Sequence, residues 1–204
     1  MATLKTVVLD SEKCIGCITC MRRCPTEAIR IENGKAKILY DKCINCGECV
    51  RSCKGGAKRP VYDSFDLVAS YNYKIALPSP SLFGQFNNLD DPNYVIEGLL
   101  ALGFDEVFEV GLAAELVTDC TKKVMQKSTL PRPVISTACP AVAELILLRF
   151  HELTDHMLNL YAPAKIAAKL AKKQALEKGI PADDIDIFFI SPCPAKVYSL
   201  HKEE

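Results

Sequence analysis

The chain has 204 residues, 49% of them hydrophobic and 25% charged, and its formal net charge is zero. This length allows one substantial domain and a small one, and the composition is ordinary for a globular protein. The balanced charge lacks the basic excess of nucleic-acid-binding proteins, so we expect no nucleic-acid partner. No apolar run reaches the roughly 20 residues that cross a bilayer, and residues 1–10 carry no secretory signal. We therefore expect no membrane partner and a cytoplasmic location.

Cysteine is the most informative residue type, because eight of the eleven cysteines fall between residues 14 and 53. Clustered cysteines in a reducing compartment indicate metal binding more often than disulfides. The eight form two copies of the spacing C-x2-C-x2-C-x3-C. The copies are Cys14, Cys17, Cys20, Cys24 and Cys43, Cys46, Cys49, Cys53.

This spacing is that of bacterial ferredoxins, in which three cysteines bind one cluster and the fourth binds the other. It predicts two 4Fe-4S clusters with crossed ligands. Cluster one takes Cys14, Cys17, Cys20 and Cys53, and cluster two takes Cys43, Cys46, Cys49 and Cys24. Zinc sites use paired C-x2-C units and close with four ligands, so zinc fits two complete quartets poorly. One departure from the repeat is Lys54, which follows Cys53 where Pro25 follows Cys24.

Residues 1–60 are therefore predicted to form an α+β ferredoxin-like domain. Between its halves, residues 29–38 are typical of a β-hairpin turning at Asn33-Gly34. Gly16 and Gly47 are expected where the backbone approaches cluster sulfide. Five basic residues beside the ligands either offset the anionic clusters or form a solvated surface. They are Arg22, Arg23, Lys42, Arg51 and Lys54.

Residues 61–72 are predicted to be a linker, and residues 73–204 alternate strand and helix. Strands are expected over 73–77, 106–110, 133–137 and 185–190. Helices are expected over 91–102, 112–126 and 162–178, with another from residue 140. The alternation predicts an α/β domain with a parallel sheet and flanking helices, with sites at the strand ends.

The three remaining cysteines have different contexts. Cys120 lies within a predicted helix, and we interpret it as a small buried hydrophobic residue. Cys139 and Cys193 each follow a predicted strand in a turn fixed by proline. Side chains from the two crossovers can converge there, so these two cysteines are candidate ligands.

The segments around Cys139 and Cys193 resemble motifs of the iron-only (FeFe) hydrogenase large-subunit family. Residues 136–140 read S-T-A-C-P against the family's T-S-C-C-P, and residues 192–196 read P-C-P-A-K against P-C-x-x-K. A ferredoxin domain with two clusters is where electrons usually enter that family. The resemblance implies that Cys139 and Cys193 ligate the cubane half of the H-cluster. It also implies that Lys196 donates a hydrogen bond to a cyanide of the di-iron half.

The departures from the family pattern indicate what this chain lacks. Ala138 replaces the proton-relay cysteine, Ser199 replaces the next glutamate of the relay, and Val142 replaces a frequent tryptophan. A methyl group and a hydroxyl do not form the acid–base chain that fast turnover needs. The third cluster motif lies outside the chain, which implies an incomplete hydrogenase-like domain and an H-cluster only in a full-length protein. Either the chain is a fragment or it is a short relative that kept the electron relay.

Three functions remain open from the sequence. The first is an iron-sulfur electron-transfer protein of the family's sensory branch, acting as a redox or hydrogen sensor or as a relay. The second is a catalytic ferredoxin-type hydrogenase of which this chain is a part. The third is a ferredoxin-like carrier fused to an interaction domain that binds no cofactor. The expected partner is a redox protein or a downstream regulatory domain.

Overall fold

The computed structural model of the chain describes residues 5–127 and 130–201. The chain forms two compact units. The first unit comprises Met1–Tyr62, Pro131–Leu158 and Cys193–Glu204, and the second comprises Asp63–Leu130 and Asn159–Pro192. The first unit therefore combines the ferredoxin-type segment with most of both hydrogenase-like motifs. The predicted domain boundaries at residues 60 and 73 follow the order of sequence patterns and stay a prediction.

The described residues form strands of two to six residues, and the two six-residue strands lie in the second unit. The strands are β1 Val7–Leu9, β2 Ile29–Glu32, β3 Lys35–Ile38, β4 Lys58–Pro60, β5 Tyr73–Pro78, β6 Glu106–Val107, β7 Ile135–Ser136, β8 Met157–Leu158 and β9 Ile185–Ile190. The α-helices are α1 Thr19–Arg23, α2 Glu48–Arg51, α3 Pro80–Phe83, α4 Asn93–Ala101, α5 Val110–Lys127, α6 Pro140–Arg149, α7 Pro163–Glu177 and α8 Pro194–His201.

In the ferredoxin-type segment, β1 pairs with β4 and β2 pairs with β3, both antiparallel. The predicted hairpin is confirmed, since β2 and β3 are joined by Asn33 and Gly34. Both turn residues have positive φ, 49° and 71°, as a two-residue type I′ turn requires. The Asn-Gly pair therefore sets the register of this hairpin.

The two halves of this segment are an internal structural repeat. Cys43 stands 29 residues after Cys14, and residues with positive φ recur at the same offset. The equivalent pairs are Gly16 and Asn45, Ile18 and Gly47, and Glu27 and Gly56. The backbone therefore takes the same conformation around each set of cysteines, although the side chains differ.

In the second unit, β5 lies between β6 and β9 in a parallel sheet. Alternate residues of β5 point to opposite faces. On one face, Ile75 and Leu77 pack in a core with Ala167 and Ala171 of α7. On the other face, Ala76 packs in a second core with residues of α4. The predicted α/β arrangement with a parallel sheet and flanking helices is confirmed for this unit.

The third predicted strand is the exception. Only Ile135 and Ser136 form it, and it pairs in parallel with β8, outside the three-stranded sheet. The expectation that all four predicted strands share one sheet is therefore wrong. Thr137 Oγ1 donates to the carbonyl oxygen of Leu158 at 2.6 Å, which fixes the end of this pair. The partner strand β8 was not predicted, because two residues are too few to show a periodicity in the sequence.

Helix α5 begins at Val110, so the second predicted strand ends at Val107 instead of residue 110. None of the helices formed by residues 5–127 and 130–201 has the length and apolar character needed to cross a membrane.

Candidate iron-sulfur centres

The four cysteines predicted to bind cluster two line one cavity. They are Cys24, Cys43, Cys46 and Cys49, and apolar residues including Val7, Ile29 and Ile38 complete the wall. The cavity contains about 340 Å³ of space free of atoms, part of it open to solvent. Cys24 reaches it from the first half of the repeat because α1 ends there with extended backbone, φ −74° and ψ 116°. The four cysteines that the spacing groups for cluster two thus line one cavity, and their role as ligands stays a prediction.

The fourth cysteine of each set is held in the same way. The backbone N–H of Ala28 donates to Cys24 Sγ at 3.2 Å, and that of Ala57 donates to Cys53 Sγ at 3.2 Å. Each donor lies four residues after the cysteine that accepts its hydrogen bond. The residue before each donor, Glu27 or Gly56, has a positive φ. A backbone N–H group thus holds the sulfur of each of these two cysteines.

The first cysteine set lies against the hairpin and the loop before β4. The backbone N–H of Ala36 donates to Cys14 Sγ at 3.3 Å, and Lys35 Nζ donates to the Cys14 carbonyl at 2.6 Å. Cys14 and Cys20 are buried in one core with Ala57, against which Cys53 packs. Cys24 and Cys49 pack against the same core as well. The assignment of Cys53 to cluster one therefore stays a prediction.

A contact within the protein explains why position 16 is a glycine. Its φ is +68°, and a Cβ there would collide with the carbonyl oxygen of Gly34 in the hairpin turn. At Gly47, φ is +77° and a Cβ would lie 3.1 Å from Pro194 Cγ. Each glycine thus permits a close approach by another segment of the first unit. The expected approach to cluster sulfide stays a prediction.

The pKa values of the thiols reflect how deeply each loop is buried. Burial raises the pKa of Cys43 and Cys46, and it raises that of Cys49 to about 12. A bound metal ion reverses this preference because its charge stabilises thiolate. The N–H of Ala36 holds the pKa of Cys14 below its ordinary value, and contacts with Thr19 lower that of the exposed Cys17.

Two buried polar side chains of the repeat lack a hydrogen-bond partner. Asn45, 4% exposed, lines the cavity with Oδ1 unpaired, and Lys58, 3% exposed, has Nζ unpaired. A buried ammonium without a partner is costly unless an anion compensates it. The cavity, the thiols on its wall and this cation together fit an anionic iron-sulfur group. Among the described residues, no three His, Cys, Asp or Glu side chains are grouped to hold a single metal ion, so the fit rests on the cavity and the four thiols around it.

The predicted basic residues are partly neutralised. Glu48, on the cavity wall, pairs with Arg51 at 2.8 Å and with Arg23 at 3.3 Å, joining α1 to α2. These two arginines lower the pKa of Glu48, with Arg51 the stronger. Two of the five basic residues therefore act on a neighbouring carboxylate at the protein surface.

Cys139 and Cys193 lie in the same compact unit. Cys139 precedes α6 as its N-cap, and its carbonyl oxygen accepts from Val142 and Ala143. Cys193 precedes α8, and its carbonyl accepts from Val197 at 3.2 Å. The strands before these cysteines belong to different sheets, so their carboxyl ends do not meet at one edge. Instead, α6 and α8 contact each other in the first unit, which sequence reasoning missed.

The motif helices also contact the ferredoxin-type loops. Arg149, at the end of α6, donates to the Pro25 carbonyl at 3.0 Å and pairs with Glu27 at 3.3 Å. Pro194, at the start of α8, lies against Gly47. Both contacts join loops that carry the cluster-two cysteines, and long-range contacts of this kind leave no local pattern in the sequence.

The structure also shows the surroundings of Cys120, Lys196 and Lys58. Cys120 is exposed, so its interpretation as a buried residue is wrong. It lies on the outer side of α5, whose buried residues include Val110 and Ala113. Lys196 is half-buried in the first turn of α8. The sequence did not predict that Lys58 is buried, because lysine is almost always exposed.

Two family models match this chain. The family model "Iron only hydrogenase large subunit, C-terminal domain" matches residues 72–204, and the model "4Fe-4S dicluster domain" matches residues 6–54. The chain is similar to the periplasmic [Fe] hydrogenase large subunit of Nitratidesulfovibrio vulgaris, with 28% identity over 217 residues covering 96% of this chain and 51% of the relative. It is also similar to ferredoxin-2 of Desulfomicrobium norvegicum, with 52% identity over 31 residues covering 15% of this chain and 52% of the ferredoxin.

A solved structure from work on oxygen inactivation of an [FeFe]-hydrogenase is 21% identical, with a TM-score of 0.47, covering 69% of this chain and 38% of that one. The chain spans about half the length of the curated relatives it matches.

The cysteine loops and the dicluster match define an iron-sulfur electron-transfer protein. The match over residues 72–204 covers well over half of the chain, and the chain therefore belongs to the iron-only hydrogenase large-subunit family.

Proposed function

We propose that this chain is an electron relay or a redox or hydrogen sensor with two 4Fe-4S clusters. Cluster one takes Cys14, Cys17, Cys20 and Cys53, and cluster two takes Cys43, Cys46, Cys49 and Cys24. The observation that carries the proposal is the cavity lined by Cys24 together with the three cysteines of the second loop. A chance arrangement would not bring the last cysteine of one half to the other half's site.

Bound clusters supply one-electron transfer with little structural rearrangement. The chain contributes thiolates, N–H donors to sulfur, and an apolar wall that limits water. Cys14 and Cys20 of the first loop are buried, but Cys17 is exposed. Ile15, two residues before Cys17, is 82% exposed, whereas Ile44, the equivalent of Ile15 in the second loop, is 4% exposed. We propose that a redox protein delivers electrons at the first loop and that cluster two passes them onward.

The onward direction is proposed from the contact between Gly47 and Pro194, the residue after Cys193. This contact brings the second hydrogenase-like motif against the loop of cluster two. Under this proposal, Cys139, Cys193 and Lys196 belong to a cofactor pocket that only a longer protein completes. A regulatory domain is then the receiver of the signal.

A catalytic hydrogenase is the second candidate. The observation in its favour is that Cys139 and Cys193 each precede a helix, and that these two helices contact each other. A helix N-terminus favours an anionic ligand. Ala138 argues against efficient turnover because it has no proton to relay. Hydrogen-dependent dye reduction after addition of the di-iron cofactor, together with infrared bands of carbonyl and cyanide, would favour this candidate.

Iron and sulfide counts on the anaerobically reconstituted full chain test the main proposal. We expect about eight irons per chain. A clear excess would indicate a loaded pocket beyond the ferredoxin-type segment. Colourless protein, or zinc in place of iron, would refute the proposal.

Serine variants test the crossed ligand sets. Cys17→Ser and Cys53→Ser should disturb one electron paramagnetic resonance signal, and Cys24→Ser and Cys46→Ser should disturb the other. Cys120→Ser is the matched control and should disturb neither. The assignment fails if Cys17→Ser and Cys24→Ser affect the same signal.

We also propose a cytoplasmic location, supported by the observation that none of the eleven cysteines, all of which the structure describes, forms a disulfide bond. The relative from Nitratidesulfovibrio vulgaris is named as periplasmic. Fractionation of the native host would decide, since recovery with periplasmic markers would contradict the proposal.

A further inference from the structure

Lys58 breaks the internal repeat at a buried position. The equivalent residue in the first half, 29 residues earlier, is Ile29, which is 2% exposed. Lys58 is 3% exposed, so the second half buries a cation where the first half buries a hydrocarbon. Its backbone pairs with Leu9 across β1 and β4, which holds the residue in the strand that follows Cys53.

Burying a lysine this deeply without a partner is unfavourable. The Nζ of Lys58 has no hydrogen-bond partner. Transfer of an ammonium out of water is compensated only by an opposite charge or by deprotonation. The retention of lysine at a position where isoleucine fits therefore indicates an anionic group within reach of it.

The neighbours of Lys58 pack with cysteines of both sets. Ala57, the residue before Lys58, is buried in one core with Cys14 and Cys20. Leu9, the partner of Lys58 across the strand pair, packs against the same core, as does Cys49. Cys14 and Cys20 belong to the first site, and Cys49 to the second. The other cations near the ligands are exposed, where solvent screens them.

We propose that Lys58 is an internal counter-cation shared by the two iron-sulfur clusters, a positioning residue that raises both of their reduction potentials. This inference rests on the proposed two-cluster function. Reduction brings one electron from an external donor to a cluster, with no bond formed or broken, and a fixed positive charge favours the added negative charge. Lys58 thereby makes both sites easier to reduce than their burial alone would allow.

The magnitude follows from Coulomb's law. At an effective dielectric constant of about 20, a unit charge about 10 Å from a cluster changes the one-electron equilibrium by about tenfold. A tenfold change is about 59 mV for one electron. Replacement of Lys58 by an uncharged residue of similar length should therefore lower each potential by about that amount.

The experiment is a spectroscopic redox titration of the anaerobically reconstituted full chain with Lys58→Met. Lys54→Met is the matched control, because Lys54 is exposed beside Cys53 and loses the same charge. We expect both cluster potentials to fall by about 59 mV in Lys58→Met, and by clearly less in the control. Unchanged potentials, or equal changes in the two variants, would overturn the inference.

If Lys58→Met does not bind iron, the variant Lys58→Arg distinguishes a role of the positive charge from a role in packing. Iron bound at wild-type potentials in Lys58→Arg supports a role of charge, whereas loss of iron there assigns Lys58 a packing role and overturns the inference. Failure of the proposed function is distinguishable, since the unmodified chain would then bind no iron. An unmoved potential in an iron-loaded variant refutes the role of Lys58 alone.

Discussion

Replacing Gly16 with alanine tests whether the contact between the first cysteine loop and the hairpin turn secures the cluster-one site. Alanine would pay for left-handed backbone at φ +68°, about 1–2 kcal/mol. Its Cβ would also collide with the Gly34 carbonyl oxygen. That atom belongs to the backbone of a tight turn and cannot rotate away. Overpacking of this kind costs about 1–3 kcal/mol more.

Gly56→Ala is the matched control. Its φ is +62°, so the backbone cost is the same, but a Cβ there meets nothing within 4 Å. Glu27 occupies the equivalent position of the first half at φ 54°, so a side chain is tolerated in this conformation. The two variants therefore differ by the steric contact alone, about 1–3 kcal/mol.

The measurement is the half-life of the visible iron-sulfur absorbance in guanidinium, because cluster-loaded proteins rarely unfold reversibly. If most of the difference is in the unfolding rate, Gly16→Ala should bleach about tenfold faster than Gly56→Ala. Equal half-lives for the two variants would refute the idea that the Gly34 carbonyl contact secures the first loop.

Three further outcomes are expected. In the second unit, Glu106 accepts from Tyr73 at 3.0 Å and pairs with Lys178 at 2.8 Å. The hydrogen bond from Lys178 to Glu106 raises the pKa of Lys178, and burial raises that of Tyr73. Because the pKa values of Lys178 and Tyr73 are raised in the folded state, both groups stabilise the fold at neutral pH, and this stabilisation is lost as pH rises above about 10. In Glu106→Gln, the urea midpoint of unfolding should therefore fall less steeply with rising pH in this range. Arg149→Ala should lower the unfolding free energy by about 1 kcal/mol or less, since its pair is exposed, and should speed proteolysis. Cys120→Ser should leave the iron content unchanged and remove one rapidly alkylated thiol.

The controls for these predictions use exposed residues. Glu177→Gln removes a carboxylate paired with Lys173 on the surface of α7, at 3.7 Å, and should leave the alkaline slope unchanged. Arg132→Ala removes an exposed arginine of the first unit and should not change proteolysis. An alkaline slope that Glu106→Gln leaves intact, a proteolysis rate that Arg149→Ala does not change, or iron lost from Cys120→Ser would contradict the corresponding prediction.

The elements that the sequence predicted well have strong local signals. The Asn33-Gly34 hairpin is set by two residues that adopt positive φ readily. Strand β9 at Ile185–Ile190 is an apolar run between turn residues, and α7 presents Ala167, Ala171 and Ala175 at helical spacing. In each case the information lies within a few neighbouring residues, so no tertiary knowledge is needed.

The sequence does not reveal which distant segments of the chain form each compact unit. Strands β7 and β8 have two residues each, and their pairing joins positions 22 residues apart, Ile135 with Met157. The approach of Pro194 to Gly47 joins segments that are further apart still. Periodicity reports which face of an element is apolar, but it does not report which distant element covers that face. The predicted ligand sets rest on spacing, and they stay predictions until iron is measured.

The asymmetry of the internal repeat bears on electron flow. The two halves share their backbone conformation, yet their side chains differ at equivalent positions. Ile15 of the first half is exposed, whereas its equivalent Ile44 is buried. The buried Ile29 of the first half is replaced by the buried Lys58 in the second. Backbone N–H groups donate to cysteines of both predicted sites, from Ala36 to Cys14 and from Ala57 to Cys53 at cluster one, and from Ala28 to Cys24 at cluster two. Because solvent exposure stabilises the added electron, we expect cluster one to have the higher reduction potential.

A charge on Lys58 that shifts both potentials by about the same amount leaves their order unchanged. Two resolved one-electron transitions are therefore expected in a redox titration. The higher transition should be the one abolished by Cys17→Ser. A single unresolved transition, or loss of the lower one in that variant, would mean that burial does not set the order of the two sites.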